Sequence, residues 1–122
     1  MNTLPPALIG PAAAPALHVM SWNVRRRLRR PSPRAADRWE NRAPRVRQLL
    51  RTERPTLLGA QEALTDQAEF LRESLGPEYR MLGRGRGAGG RGEGCPILYD
   101  AARLELLDWD QAALYQPTQC VR

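Results

Sequence analysis

The stretch Arg54-Pro-Thr-Leu-Leu-Gly-Ala-Gln-Glu62, read against His18-Val-Met-Ser-Trp-Asn-Val24, decides the fold. Thr56 to Ala60 is an apolar run of strand length that ends on two polar side chains, Gln61 and Glu62. Ala16 to Val24 has the same character: Leu17, Val19 and Trp22 sit among short residues, and Asn23 falls at the C-terminal end. Between the two, Trp39, Ala43, Val46 and Leu50 are spaced by four, three and four, with Leu49 widening the stripe, which predicts an amphipathic helix from Trp39 to Thr52. Pro44 suits that helix only in its first turn, and Pro55 stops it. Strand, helical crossover and strand imply a parallel, right-handed pair.

Outward from this unit, Thr65 is expected to cap a helix through Leu75, with Asp66 in its positive first turn and Phe70, Leu71 and Leu75 inward. Gly76 and Pro77 end it, Tyr79 to Leu82 reads as a third strand, and Gly83 to Gly94 as a glycine and arginine loop. Cys95 to Tyr99 and Arg103 to Leu107 read as two antiparallel strands around an Asp100-Ala101-Ala102 turn. Arg25 to Arg38 is a basic loop, because Pro31 and Pro33 forbid a regular helix. Residues 1–15 are apolar but carry four prolines and no preceding basic residue, so they read as a flexible leader and not as an export signal. That run is too short to span a bilayer, and a cytoplasmic location is expected.

With 122 residues, 42% of them hydrophobic and 26% charged, the chain is foldable by composition and no larger than one small domain. Its one histidine, His18, excludes His-rich zinc sites and any Ser/His/Asp apparatus that does not use it. His18 starts the first strand, at the opposite end from Asn23, and is therefore expected to be structural or at the surface. Two cysteines, Cys95 and Cys120, make no disulfide framework and suit a reducing compartment, with Cys95 expected as a small buried thiol on a strand. The formal net charge is +6, and all 19 basic residues are arginine. Residues 25–54 hold 12 Arg against Asp37, Glu40 and Glu53, so the positive charge is one block and not a property of the whole surface.

Asn23 and Glu62 are the candidate catalytic and metal-binding pair. If their strands are parallel neighbours, both side chains emerge at the carboxyl ends of adjacent strands, where open α/β sheets place ligands. An Asn carbonyl and a Glu carboxylate are hard oxygen ligands that suit Mg²⁺ or Mn²⁺, which takes one or two carboxylates and keeps waters for a substrate phosphate. On spacing alone, the favoured reading is an Asn bonded to backbone groups at a strand end and a Glu at a helix entrance.

The segment His18-Val-Met-Ser-Trp-Asn-Val24 resembles the first-strand motif of the endonuclease/exonuclease/phosphatase superfamily, the DNase I-like fold. Trp39 and Arg42, followed by the helix and Arg54-Pro-Thr-Leu-Leu-Gly-Ala-Gln-Glu62, resemble its second motif. Gly92-Glu-Gly-Cys-Pro-Ile-Leu-Tyr99 and the following Arg-Leu-Glu-Leu-Leu-Asp108 resemble the strand pair that comes next. The resemblance implies residues 16–108 as the N-terminal half of a four-layer α/β sandwich, with a mixed sheet and helices on one face. It also implies a metal-dependent phosphoesterase in which Glu62 is the principal metal carboxylate and Asn23 orients metal or phosphate. The family's His-Asp base pair belongs to the second half of the fold, so this chain is expected to be truncated and inactive alone. Residues 109–122 read as a divergent tail, of the kind a frameshift produces.

Two positions depart from the family pattern: Thr56 stands where an acidic residue is usual, and Ala60 where a bulky aliphatic is usual. Arg25, Arg84 and Arg91 are candidate phosphate contacts, the last two in a loop whose glycines let backbone approach an anion, although a solvated or flexible loop explains them as well. Glu93 matches a frequent acidic position of relatives and is a candidate to line the site. The partners expected are a phosphoester substrate and nucleic acid. Two other readings compete: a stand-alone arginine-rich nucleic-acid module, which lacks aromatic stacking platforms in the basic block, and a non-functional truncated gene product.

Overall fold

The computed structural model describes residues 6–30, 32–85, 87 and 92–112. Strand β1 (Val19–Asn23) leads through the basic loop and a single 3₁₀ turn at Ala35–Asp37 into helix α1 (Trp39–Glu53). Strand β2 (Leu57–Gln61), helix α2 (Thr65–Leu75), strand β3 (Tyr79–Leu82) and strand β4 (Ile97–Asp100) follow. The strands form one mixed sheet in the order β1-β2-β4-β3. β1 and β2 are parallel with Asn23 opposite Gln61, and β4 is antiparallel to both of its neighbours.

Alternation along the strands sets the core. Leu58, Ala60 and Leu98 are buried against Val46 and Leu50 of α1 and Ala68, Leu71 and Leu75 of α2. The next residue along each strand points the other way, so Val19 is 61% and Ile97 45% exposed on the face opposite the helices. At the end of the sheet where the parallel strands begin, Tyr79 is buried and its hydroxyl donates to the Pro55 carbonyl at 2.8 Å. Burial pushes its phenol up, which keeps that proton in place. Arg54 ends α1 in the left-handed region and donates through Nη1 to the last carbonyl of α2, that of Leu75, at 3.1 Å, tying the two helix C-termini together.

Four expectations are corrected. Pro44 is the sixth residue of α1, not a first-turn residue. It is tolerated because both Pro44 and Glu40, whose carbonyl loses its helical donor, are exposed to water. Thr65 does not cap α2: Leu64 is the cap position, and its N–H donates to Gln67 Oε1 at 3.2 Å. Arg103 to Leu107 is not a strand beside β4, because both edges of β4 are already taken by β2 and β3. Cys95 is exposed and precedes β4 instead of lying buried within a strand.

Part of the stretch expected as leader is anchored. The N–H groups of Leu8, Ile9 and Gly10 donate to the Glu53 carboxylate at 2.8, 2.9 and 3.2 Å, and His18 Nδ1 lies 2.8 Å from the Gly10 carbonyl. Arg103 donates to the Ala12 carbonyl at 2.7 Å. The Ile9 N–H above all holds the Glu53 carboxyl below its ordinary value, with burial opposing. A depressed native value means that this anchor is complete above the range near pH 4.3, where an unfolded-chain glutamate titrates, and is lost as pH falls through the native value. The protection of the Ile9 and Gly10 amides, taken relative to their intrinsic exchange rates at each pH, should therefore fall on acidification below that range in the unaltered chain. Glu53→Gln should abolish the acid step, and an identical step in that variant would disprove the role.

Candidate functional site

Parallel pairing brings the two polar strand ends together. Asn23 closes β1, Glu62 follows directly on the last residue of β2, and the Val24 N–H donates to the Gln61 carbonyl at 3.1 Å. Asn23 and Glu62 are thus at the carboxyl ends of adjacent strands, which lie about 4.8 Å apart. The chain turns sharply at both places: Arg25 has φ 56° and Glu62 φ 60°, the left-handed region that costs a side-chain-bearing residue about 1–2 kcal/mol. Two such residues at neighbouring strand ends are held there by the surroundings.

The surroundings are specific. Asn23 Oδ1 accepts the Arg25 N–H at 2.8 Å, and Glu62 Oε2 accepts the Arg26 N–H at a long 3.4 Å. From α1, Arg42 Nη1 donates to the Val24 carbonyl at 2.8 Å and Nη2 to the Arg25 carbonyl at 3.0 Å, while Nε reaches the Asp37 carbonyl at 3.0 Å. Its guanidinium lies 5.3 Å from the Trp39 ring centroid, and burial followed by the nearby Arg25 charge pulls its pKa down. From α2, the wholly buried Gln67 accepts the Arg27 N–H at 3.2 Å and donates to the Arg25 carbonyl at 3.3 Å.

An isolated bridge between Ala63 and Gly94 brings the glycine and arginine loop back to the end of β2. Gly94 is required there, since a Cβ would stand 2.8 Å from the Arg84 carbonyl oxygen. Glu93 consequently shares an open cleft of about 310 Å³ with Glu62, Gln61, Arg84 and Cys95, and its carboxylate lies 3.8 Å from the Arg26 guanidinium. Arg26, whose backbone bonds Glu62 and whose side chain meets Glu93, brings the basic block of Arg25 to Arg30 to the site, although no motif singles it out. Its only signal was membership of the basic block.

Of the other candidates, Arg84 lines this cleft and exchanges two backbone hydrogen bonds with the Gln111 side chain. Arg25 turns its side chain to Asp37 at 3.5 Å, and Arg27 pairs with Asp66, so with Arg26 three arginines of the block face acids of this chain. Arg91 lies outside the described residues. His18 is buried at the far end of β1, about 16 Å from Asn23 at 3.3 Å per residue.

The cleft is lined by two carboxylates, Glu62 and Glu93, while Asn23 stands at the neighbouring strand end, outside the cleft lining, and no group of three or more His, Cys, Asp or Glu occurs among the described residues. Glu62 makes one long hydrogen bond and a carboxylate has room for about four, so acceptor capacity remains for a cation. Hard oxygens in this number fit Mg²⁺ or Mn²⁺ with water completing the shell, and do not fit an all-protein zinc or calcium cage. No helix among the described residues is long and apolar enough to cross a membrane.

The sequence model of the Endonuclease/Exonuclease/phosphatase family matches residues 20–118, extending past Asp108 into the stretch read as divergent. A mannosyl-6-phosphatase of Bacteroides thetaiotaomicron superimposes with a TM-score of 0.65 at 27% identity, over 76% of this chain and 34% of its own. An endonuclease/exonuclease/phosphatase of Bacteroides vulgatus does so with a TM-score of 0.64 at 32% identity, over 75% and 34%. A functionally unknown conserved protein of Enterococcus faecalis gives 0.64 at 25% identity, again over 75% and 34%. The chain thus spans about a third of the length of these structures. None of the functionally curated proteins matches significantly.

Proposed function

The chain belongs to the endonuclease/exonuclease/phosphatase family, and on that premise we propose that it carries the metal-binding part of a phosphoester hydrolase, with Glu62 and Asn23 at the centre. The observation that supports this reading is that Asn23 and Glu62 stand at the carboxyl ends of adjacent parallel strands, beside left-handed backbone at Arg25 and Glu62. A bound Mg²⁺ or Mn²⁺ supplies Lewis-acid charge neutralisation to a phosphoryl oxygen. Glu62 would hold the ion, Asn23 would orient it or the phosphate, and Glu93 would add negative charge in the same cleft as Glu62. Arg84 and Arg26 are the cationic groups at the cleft for the substrate's remaining phosphate charge.

His18 is too distant to take a proton from a nucleophile here, so we propose that the 122 residues bind metal and phosphate without turning substrate over by themselves. The match to a mannosyl-6-phosphatase favours a phosphate ester among the substrate classes.

Calorimetric titration with Mn²⁺ is the direct test. One ion per chain, displaced by Mg²⁺ and lost in Glu62→Gln, is expected. Full retention of binding in Glu62→Gln would sink the metal site.

A further inference from the structure

We propose that Arg42 and Gln67, neither of which faces the cleft, are positioning residues that hold the site's backbone in its working shape; this rests on the metal-site reading above. The Arg25 carbonyl oxygen receives both side chains, Arg42 Nη2 at 3.0 Å and Gln67 Nε2 at 3.3 Å, from two different helices. The peptide units on either side are fixed as well, by Arg42 to the Val24 carbonyl and by the Arg27 N–H to Gln67. Val24 to Arg27 is therefore clamped around the left-handed Arg25. That turn aims the Arg25 N–H at Asn23 Oδ1 and the Arg26 N–H at Glu62 Oε2. Both candidate ligands are thus oriented by backbone that α1 and α2 hold.

The arrangement also explains why Trp39 and Arg42 belong with the strand motif although both lie on a helix. Trp39 packs edge-on against Phe70 of α2, with centroids 5.4 Å apart, and supports the Arg42 guanidinium on its face. The aromatic pair sets the spacing of the two helices from which the clamp reaches.

Partners that orient metal ligands typically account for about 10- to 100-fold of metal affinity. In the full chain, Arg42→Lys keeps the charge and the ring contact but cannot span two carbonyls, and Gln67→Leu keeps the volume but neither hydrogen bond. Each should weaken Mn²⁺ binding by at least about tenfold and shift the Asn23 side-chain amide resonance, with the near-ultraviolet circular dichroism retained. Millimolar guanidinium should restore part of the affinity lost in Arg42→Ala. Unchanged affinity in both Arg42→Lys and Gln67→Leu, beside a loss in Glu62→Gln, overturns the clamp alone; unchanged affinity in Glu62→Gln overturns the metal reading instead. If the variants unfold, hydrogen exchange on the unaltered chain decides. Protection at the Arg27 amide and the Gln67 side-chain amide supports the clamp, and exchange at random-coil rates rejects it.

Discussion

Glu62→Gln, in a protein carrying the remaining length of the fold, should lower kcat/KM for phosphoester hydrolysis about a thousandfold. The estimate takes about 4 kcal/mol for charge stabilisation lost with the ion, at 1.36 kcal/mol per decade. Substrate binding through the arginines is kept, so most of the loss should fall on kcat. A second substitution separates this loss from folding. Glu62 sits at φ 60°, where glycine has no steric cost, so Glu62→Gly should be as inactive as Glu62→Gln yet no less stable, and more stable by up to about 1 kcal/mol. Activity surviving either change within tenfold would remove Glu62 from the chemistry. A Glu62→Gly chain destabilised by urea titration would instead mean that the carboxylate is structural.

The largest effect on stability is expected at Leu58. It is wholly buried on the interior strand β2, packed against α1 and α2, and a truncation there leaves a cavity that two helices and a central strand cannot close. Leu58→Ala should cost about 3–5 kcal/mol, a large part of the 5–15 kcal/mol that a small domain has in total. Leu57, one residue earlier, lies half-exposed on the opposite face, and Leu57→Ala should cost less than half as much. Urea unfolding monitored by tryptophan fluorescence measures both. Equal losses would mean that the sheet faces have been assigned the wrong way round.

The elements that repeat with a clear period are legible in the sequence. The four-three-four spacing from Trp39 to Leu50 became α1, and the short apolar runs became the parallel pair, because each pattern reflects a single buried face. The ends of those runs located Asn23 and Glu62 for the same reason: once two strands are known to be parallel, their carboxyl ends coincide. Where reading failed, the deciding partner was distant in sequence. Nothing between Cys95 and Leu107 announces that β4 pairs with β2, about 40 residues upstream in register Leu57 with Tyr99, and so a hairpin looked sufficient. Cys95 looked like strand interior because its apolar neighbours said so, yet the bridge to Ala63 turns it into the cleft.

Sequence alone therefore determined that the chain is α/β, that a parallel pair anchors it, and which two oxygen-bearing residues stand at the carboxyl ends of that pair, since periodicity and polarity are local properties of the chain. Only the tertiary structure decided what holds that pair in place. Arg26 and Gln67 are unremarkable where they stand in the sequence, and they converge with the motif residues Arg42 and Glu93 because α1, α2 and the returning loop pack around one left-handed turn. A backbone carbonyl outside regular structure finds its donors in space, from whichever element can reach it, and no local pattern records where those donors will come from.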